Sequence, residues 1–314
     1  MANLLGLEIG GTKLQLGLGD GAGRVDRWAR LPVDPAAGAA GILAQIAGAA
    51  RALGAAPDAI GVGFGGPIDA DRGVVVRSHQ VEGWDGFPLA DWCRRGLGAG
   101  AVSVRNDSDA AALGEARFGA GEGLSPVLYV NSGSGVGGGL VVDGRIYRGC
   151  GLGAVEVGHL LLADPAGGAS SLEGLASGWA IGRAGRAAVE RLGRVGASAP
   201  LVDLCGGEPA RVTGVVVADA ARLGDVEAFR ILETATTAMG QALAHAVTLL
   251  APRRVILGGG VAQVGEALWL GPIRRVLEAR VFPPFRGTFD VVAARLGQDV
   301  VVHGALALAR DAMA

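Results

Sequence analysis

The turn Glu8-Ile9-Gly10-Gly11-Thr12-Lys13 separates two runs of alternating leucines, and Lys13 is the one lysine in a chain that otherwise uses arginine. Leu4 through Ile9, and then Leu14, Leu16 and Leu18, have the period of two strands. Gly10 and Gly11 therefore fall where the backbone turns sharply. Amides with no side chain above them can face a polyphosphate at such a turn. A plain hairpin opening a domain satisfies the same pattern, so the rest of the chain has to decide.

The 314 residues are half hydrophobic, with 28 lysines and arginines against 30 aspartates and glutamates. A chain of this length can bury a large core and divide into two domains. Its net charge of −2, with no basic stripe and no positive run interleaved with aromatics, argues against nucleic acid as a partner. The 56 glycines follow no fixed period, so a fibrous repeat is excluded. The first residues enter an apolar strand without a basic segment or a cleavage site, and every apolar stretch is broken short of the roughly 20 residues of a membrane-spanning helix. A soluble, cytoplasmic protein with no membrane partner is expected. Cys93, Cys150 and Cys205 are widely spaced and form no Cys-x-x-Cys pair. Buried free thiols are expected of them, with neither a disulfide framework nor a thiolate metal site.

After the hairpin, Gly38 to Leu53 reads as an alanine-rich helix and Ala59 to Phe64 as a buried strand ending in Gly65-Gly66-Pro67-Ile68-Asp69. Val74 to Val76 is a further strand, followed by the loop Ser78 to Trp84. Val102 to Val104 then runs into Asn106-Asp107-Ser108-Asp109 and the helical stretch Ala110 to Phe118. Alternation of strand and helix indicates an α/β fold with a polar cluster at a strand end. Gly119 to Ser125 has the composition of a domain junction. Beyond it, Val127 to Asn131 leads into Ser132-Gly133-Ser134-Gly135-Val136-Gly137-Gly138-Gly139, the strand Leu140 to Val142, an Asp143-Gly144 turn and Arg145 to Tyr147. The second half thus opens as the first did, with a glycine-rich β-turn-β. Val226 to Leu250 has apolar residues at helical spacing and is followed by the strand Val255 to Leu257 and a third glycine turn, Gly258-Gly259-Gly260. Val291 to Ala293 and Val300 to Ala309 close the chain as a strand and a helix, the helix packing back on the first domain.

In this order the segments resemble the ROK family of bacterial sugar kinases and sugar-responsive repressors, within the actin and sugar-kinase superfamily. The residues that carry the resemblance are the Glu8-x-Gly-Gly-Thr-Lys13 turn, Gly65-Gly-Pro-Ile-Asp69, Asn106-Asp107, the glycine run 133 to 139, Glu156-Val-Gly-His159, Glu173 and Gly258-Gly-Gly260. The resemblance implies two ribonuclease-H-like domains with a nucleotide and sugar cleft between them. The first would span residues 1–118, joined by the C-terminal helix at about 299–314, and the second 119–298.

The activity implied is ATP-dependent phosphorylation of a hexose on its primary hydroxyl, glucose first, with fructose, mannose or an N-acetylated hexosamine as alternatives. Such a transfer needs the alcohol in line, its proton accepted and the triphosphate charge neutralised. By resemblance Asp107 is the general base. Gly66, Asn106, Asp107, Glu156, His159 and Glu173 are the hexose ligands. A helix N-cap is the competing role for Asp107, but Ser108 or Asp109 can supply that cap. Glu156 and His159, three apart, share a side if their backbone is turned. The phosphates and purine fall to Glu8, Gly10, Gly11, Thr12, Lys13, Ser132, Gly133, Ser134, Gly135, Gly258, Gly259 and Gly260. Magnesium would bind through ATP and water, with Glu8 reaching it through water where relatives use aspartate. Many relatives also carry a histidine and a Cys-x-Cys-Gly-x-x-Gly-Cys cluster for a structural zinc. Here that stretch is Ala163 to Ser171, with no thiolate, and no zinc is expected. Ser78 to Trp84 would rim the sugar pocket, with His79 or Glu82 as polar contacts, unless Trp84 is a packing aromatic. His245 and His303 read as structural. A homodimer is the family's frequent state. A sugar sensor without catalysis is the alternative from another class; its repressor relatives carry an N-terminal DNA-binding module, whereas the first strand here begins by Leu4.

Overall fold

The structure, a computed structural model, describes residues 3–314 apart from His79, Leu152 and Val195. His79 therefore lies outside the described residues. The chain divides into two compact units: Met1–Tyr129 with Gly139–Val155 and Ala294–Ala314, and Val130–Gly138 with Glu156–Ala293.

The first part of the chain runs β1 (Leu4–Ile9), β2 (Lys13–Gly19), β3 (Val25–Pro32), α1 (Gly38–Ala52), β4 (Ala59–Phe64), the short pair β5 (Ile68–Asp69) and β6 (Val74–Val75), α2 (Leu89–Leu97), β7 (Ala101–Asn106) and α3 (Asp107–Phe118). Its main sheet has the order β3-β2-β1-β4-β7. The two hairpin pairings are antiparallel, and β1, β4 and β7 are parallel. Alternation in β1 sends Leu5, Leu7 and Ile9 into a core with Ile42 and Ile46 of α1, while Leu4 faces the opposite side. Each such buried aliphatic side chain contributes roughly 1.5–3 kcal/mol.

The second part runs β8 (Val127–Ser132), β9 (Val136–Val142), β10 (Arg145–Ile146), β11 (Leu161–Ala163), β12 (Ala169–Ser171), α4 (Leu172–Ala176), α5 (Gly178–Arg194), α6 (Pro200–Leu204), α7 (Gly214–Arg222), α8 (Val226–Leu250), β13 (Arg254–Gly258), α9 (Gly271–Arg280), β14 (Asp290–Ala293) and α10 (Val300–Asp311). The second sheet has the order β10-β9-β8-β13-β14. Two five-stranded sheets of mixed strand direction, each opened by a glycine-turn hairpin, make an α/β fold. The 25-residue span of α8 is the one its periodicity gives, and Asp225 caps it by accepting the Ala228 N–H at 2.9 Å.

Helix α10 packs against β1, β4 and α3 within the first unit. Glycine makes this possible by close approach. A Cβ on Gly61 of β4 would overlap the Ala305 carbonyl oxygen, and one on Gly304 would overlap that of Ala110 in α3. Leu306 and Val302 then reach Leu4 and Ala59 to form a second core layer on that face.

One expectation changes here and one open alternative is decided. Cys93 and Cys205 are buried free thiols, but Cys150 is exposed, in the turn region after β10. Trp84 is 1% exposed and meets Phe64 and Phe87 edge to face, with ring centroids 5.1 and 5.3 Å away. It is a core aromatic under the loop, because its indole finds two rings there. Glu82 is exposed. Among the described residues no helix is long and apolar enough to cross a membrane.

Candidate active site

Strand register assembles the site residues of the first unit. Ile9 pairs with Phe64, and Phe64 with Asn106, so the carboxyl ends of β1, β4 and β7 stand in one row. The segments that follow are Gly10 to Thr12, Gly65-Gly66 and Asp107. In an open sheet with parallel strands, this edge is where ligands bind. The row is tied together by two hydrogen bonds: Gly65 N–H donates to the Ile9 carbonyl at 2.8 Å, and the side-chain Nδ2 of Asn106 to the Gly66 carbonyl at 3.1 Å. A Cβ on Gly65 would stand 3.5 Å from Asp107 Oδ2, so the carboxylate lies directly over this turn.

Asn106 takes the cap assigned above to Ser108 or Asp109. Its Oδ1 accepts the Ser108 N–H at 2.8 Å, and α3 begins at Asp107, three residues before the expected start. Extended backbone at Asn106 ends β7 and leaves its short amide in reach of the first helical N–H groups. Both ends of the Asn106 amide are thus bonded to protein, and Asp107 sits in the first turn with Ser108 Oγ donating to its Oδ1 at 3.3 Å.

In the first glycine turn, Gly10 N–H closes the turn on the Lys13 carbonyl at 2.9 Å. The amides of Gly11 and Thr12 donate to no described residue, which leaves two donors at the tip. Lys13 Nζ does not extend away from the turn. It pairs with Glu8 Oε1 at 2.8 Å and donates to the Gln298 carbonyl at 3.1 Å. Gln15, opposite Glu8 in the hairpin register, donates Nε2 to Glu8 Oε2 at 2.6 Å and to the same Gln298 carbonyl at 2.9 Å. Burial pushes the Glu8 carboxyl above its ordinary range, opposed by the Lys13 charge and by the Lys13 and Gln15 hydrogen bonds. Gln15 and Gln298 were missed in the sequence. The signal for Gln15 was available, since a polar residue between Leu14 and Leu16 faces Glu8 by counting back through the turn. Gln298 had none. Tyr129 also escaped notice: it is buried, and desolvation raises its phenol pKa, with Glu115, Asp107 and Glu8 adding repulsion.

The second glycine turn has its own framework. Gly133 N–H donates to the Gly135 carbonyl, and Gly178 N–H to the Gly133 carbonyl, both at 2.8 Å. Asn131 Oδ1 accepts the Gly137 N–H at 2.8 Å, and Ser132 Oγ donates to the Ala176 carbonyl at 2.7 Å. Glu173 Oε2 accepts the Val136 N–H at 2.9 Å. Its carboxylate therefore braces this turn, while the Ser134 and Gly135 amides donate to no described residue. Gly259, at φ +87°, abuts the Ser132 carbonyl so closely that any side chain would overlap it, which joins the third glycine turn to the second. Gly258 ends β13 and Gly260 is in a right-handed conformation.

Glu156 and His159 flank a single 3-10 turn, with His159 N–H donating to the Glu156 carbonyl at 3.1 Å, and both side chains are exposed. The stretch from Ala163 to Ser171 is a hairpin closed by its own polar groups. Asp164 Oδ1 accepts the Ala166 N–H at 2.8 Å, which holds the Asp164 carboxyl below its usual range, and Asp164 N–H meets the Gly168 carbonyl at 3.1 Å. Strand β12 then delivers Ser171, whose Oγ accepts the Gly174 N–H at 3.1 Å and starts the helix carrying Glu173. Among the described residues no three histidines, cysteines or acids cluster as metal ligands. His245 lies on the exposed side of α8, and His303 packs at the ring edges of Trp28 and Phe118.

A glycine turn with a pair of uncommitted amides, as at Gly11 and Thr12 and again at Ser134 and Gly135, suits phosphate oxygens. A carboxylate at a strand end suits proton acceptance from an alcohol. A model of the ROK family matches residues 4–312. The chain is 31% identical to the glucokinase of Thermotoga maritima over 98% of its own length and 97% of that protein, and 33% identical to the glucokinase of Halalkalibacterium halodurans over 96% and 92%. It is similar to the crystal structure of a ROK family glucokinase from Streptomyces griseus in complex with glucose and AMPPNP, with a TM-score of 0.84 and 32% identity over 98% of this chain and 99% of that one. With nearly its whole length matched by family and fold alike, the chain belongs to the ROK family.

Proposed function

We propose that this sugar kinase transfers the γ-phosphoryl group of ATP to the primary hydroxyl of a hexose, glucose first, with Asp107 as general base. The carrying observation is the register row Ile9–Phe64–Asn106, which delivers Asp107, the Gly65-Gly66 turn and the uncommitted Gly11 and Thr12 amides to one sheet edge. The Asp107 carboxylate accepts the hydroxyl proton as the oxygen attacks. Asn106, bonded to Gly66 and to the α3 terminus, fixes the Asp107 backbone. The hexose ligands in this reading are Gly66, Asn106, Asp107, Glu156, His159 and Glu173. Lys13, paired to Glu8, lends positive charge near the first turn. The amides of Gly11, Thr12, Ser134 and Gly135 receive phosphate oxygens, and Gly258 to Gly260 leave room for a purine. Magnesium, when bound through phosphate oxygens and water with Glu8 beyond, supplies further charge neutralisation. A cytoplasmic homodimer belongs to the same reading, as does a domain division after Phe118 with the last helix returned to the first domain.

The test is magnesium- and ATP-dependent phosphorylation measured across glucose, mannose, fructose and N-acetylated hexosamines, beside Asp107→Asn. Turnover of one hexose with a kcat loss of about 10²- to 10⁴-fold in the variant is the expected result. Hexose binding without turnover in the wild-type protein would replace the kinase with a sensor.

A further inference from the structure

Glu115 lies in α3 with its side chain fully buried, and it forms no ion pair among the described residues. Both carboxylate oxygens accept main-chain N–H groups instead: Oε2 that of Ala120 at 2.7 Å, five residues on, and Oε1 that of Leu296 at 2.8 Å, 181 residues on. Gly119 leaves space for the carboxylate, since a Cβ there would overlap Glu115 Oε2. Burying a carboxylate is costly, and an apolar side chain would fill the same volume without that cost. What the acid adds is the fixed position of two amides, held by charge-assisted bonds that are stronger than neutral ones.

Leu296 precedes the single 3-10 turn Gly297–Asp299, which leads directly into α10. That turn closes by Asp299 N–H on the Leu296 carbonyl at 3.3 Å, a long bond for this geometry. Its start is therefore held by Glu115 and its end by the packed helix. Three side chains of β2 and β3 meet this turn. The Gln298 carbonyl accepts Lys13 Nζ at 3.1 Å and Gln15 Nε2 at 2.9 Å. The Asp299 carboxylate accepts Arg30 Nη2 through both oxygens at 3.0 Å, and Arg30 Nε donates to Gln15 Oε1 at 2.9 Å. Both ends of the Gln15 amide are thus engaged, and its Nε2 also reaches Glu8 Oε2 at 2.6 Å while Lys13 Nζ pairs with Glu8 Oε1 at 2.8 Å. A shift of the turn moves both partners of the Glu8 carboxylate together.

We propose that Glu115 is a positioning residue for the first glycine turn: by fixing Leu296 it sets the Gln298 carbonyl and the Asp299 carboxylate, and through them Lys13, Gln15 and Glu8. Its consequence for ATP rests on the kinase reading; the position of Lys13 is measured without turnover. Lys13 is the one lysine of the chain, so full-length protein isotope-labelled at the lysine ε-carbon gives a single lysine resonance. Wild type is compared with Glu115→Gln, Gly119→Ala, Lys13→Met and the double variant Glu115→Gln with Lys13→Met. Glu115→Gln keeps one acceptor and sets an amide NH2 against the other N–H. Gly119→Ala displaces the carboxylate and keeps its charge, so it carries the test if Glu115→Gln fails to fold. Both are expected to move the Lys13 resonance toward that of an unstructured peptide. They should also raise KM for ATP about three- to tenfold and change KM for the hexose less than about twofold. On top of Lys13→Met, Glu115→Gln should have a smaller effect than it has alone, because part of what it positions is gone. An unmoved Lys13 resonance in the folded variants would overturn the proposal, whatever the enzyme turns over. Equal rises in both KM values, or effects of Glu115→Gln and Lys13→Met that multiply in full, would reduce Glu115 to a stability residue and overturn it too. Absence of phosphorylation by the wild-type protein would overturn the kinase reading alone, and the resonance would still decide whether Glu115 positions Lys13.

Discussion

Glu173 reaches across 37 residues of sequence to accept the Val136 N–H at 2.9 Å, which places a carboxylate beneath the second glycine turn. A charged acceptor bonded to a main-chain amide fixes which neighbouring amides remain open, and here Ser134 and Gly135 are left. Glu173→Ala is expected to lower kcat/KM for ATP about ten- to hundredfold, as a charge-assisted hydrogen bond is lost. Glu173→Gln should restore most of it, since an amide oxygen accepts the same N–H. Steady-state kinetics with each substrate varied in turn separate this from a role confined to the hexose, which would raise the hexose KM and leave that for ATP unchanged.

Asn106 carries two bonds, one to the Ser108 N–H and one to the Gly66 carbonyl. Asn106→Ala loses both and should cost about 1–2 kcal/mol of stability, as removal of an N-cap does. Asn106→Asp keeps the cap but sets a carboxylate against the Gly66 carbonyl. Denaturant unfolding of both variants should therefore show the cap loss in the first only, while activity falls in both.

Glu8 has its pKa raised by burial, so the folded state holds that proton more tightly than the unfolded chain. A group of this sign contributes stability that is full below its unfolded pKa of about 4.5 and is lost as pH rises through the folded value. In Glu8→Gln this loss disappears. The melting temperature of the variant relative to wild type should rise as pH increases from about 4.5 and level off above the folded pKa, a profile that thermal unfolding at a series of pH values measures.

His303 has the opposite sign. Desolvation between Trp28 and Phe118 depresses its pKa, with Asp299 and Glu115 opposing, and its Nδ1 is buried without a described partner. The unfolded chain gains a proton first as pH falls below about 6.5. Stability should be full above that pH and decline toward the folded pKa. His303→Gln should flatten this part of the curve; an unchanged slope would assign the acid sensitivity to other groups.

The local elements could be read from the chain because they depend on neighbours. Period-two leucines on either side of Gly10-Gly11 fixed the first hairpin, Val226 to Leu250 fixed its helix end to end, and a polar cluster after an apolar strand marked Asn106-Asp107. Helices from Gly178 to Arg222 were not read, although Ile181, Gly185 and Ala188 of the first recur on its buried side at helical spacing. Trp84 was left open between rim and core, because only packing decides whether an indole finds rings to meet.

Sequence by itself determined the two glycine-turn hairpins, the long helix Val226 to Leu250 and the carboxylate at the strand end, all consequences of periodicity and turn chemistry among neighbouring residues. Tertiary structure decided which donors stay uncommitted. Lys13 finds the carbonyl of Gln298, 285 residues away, and Glu115 the N–H of Leu296, 181 residues away. Such partners depend on where the parallel register and the close approach of α10 set the backbone, and no local pattern carries that distance.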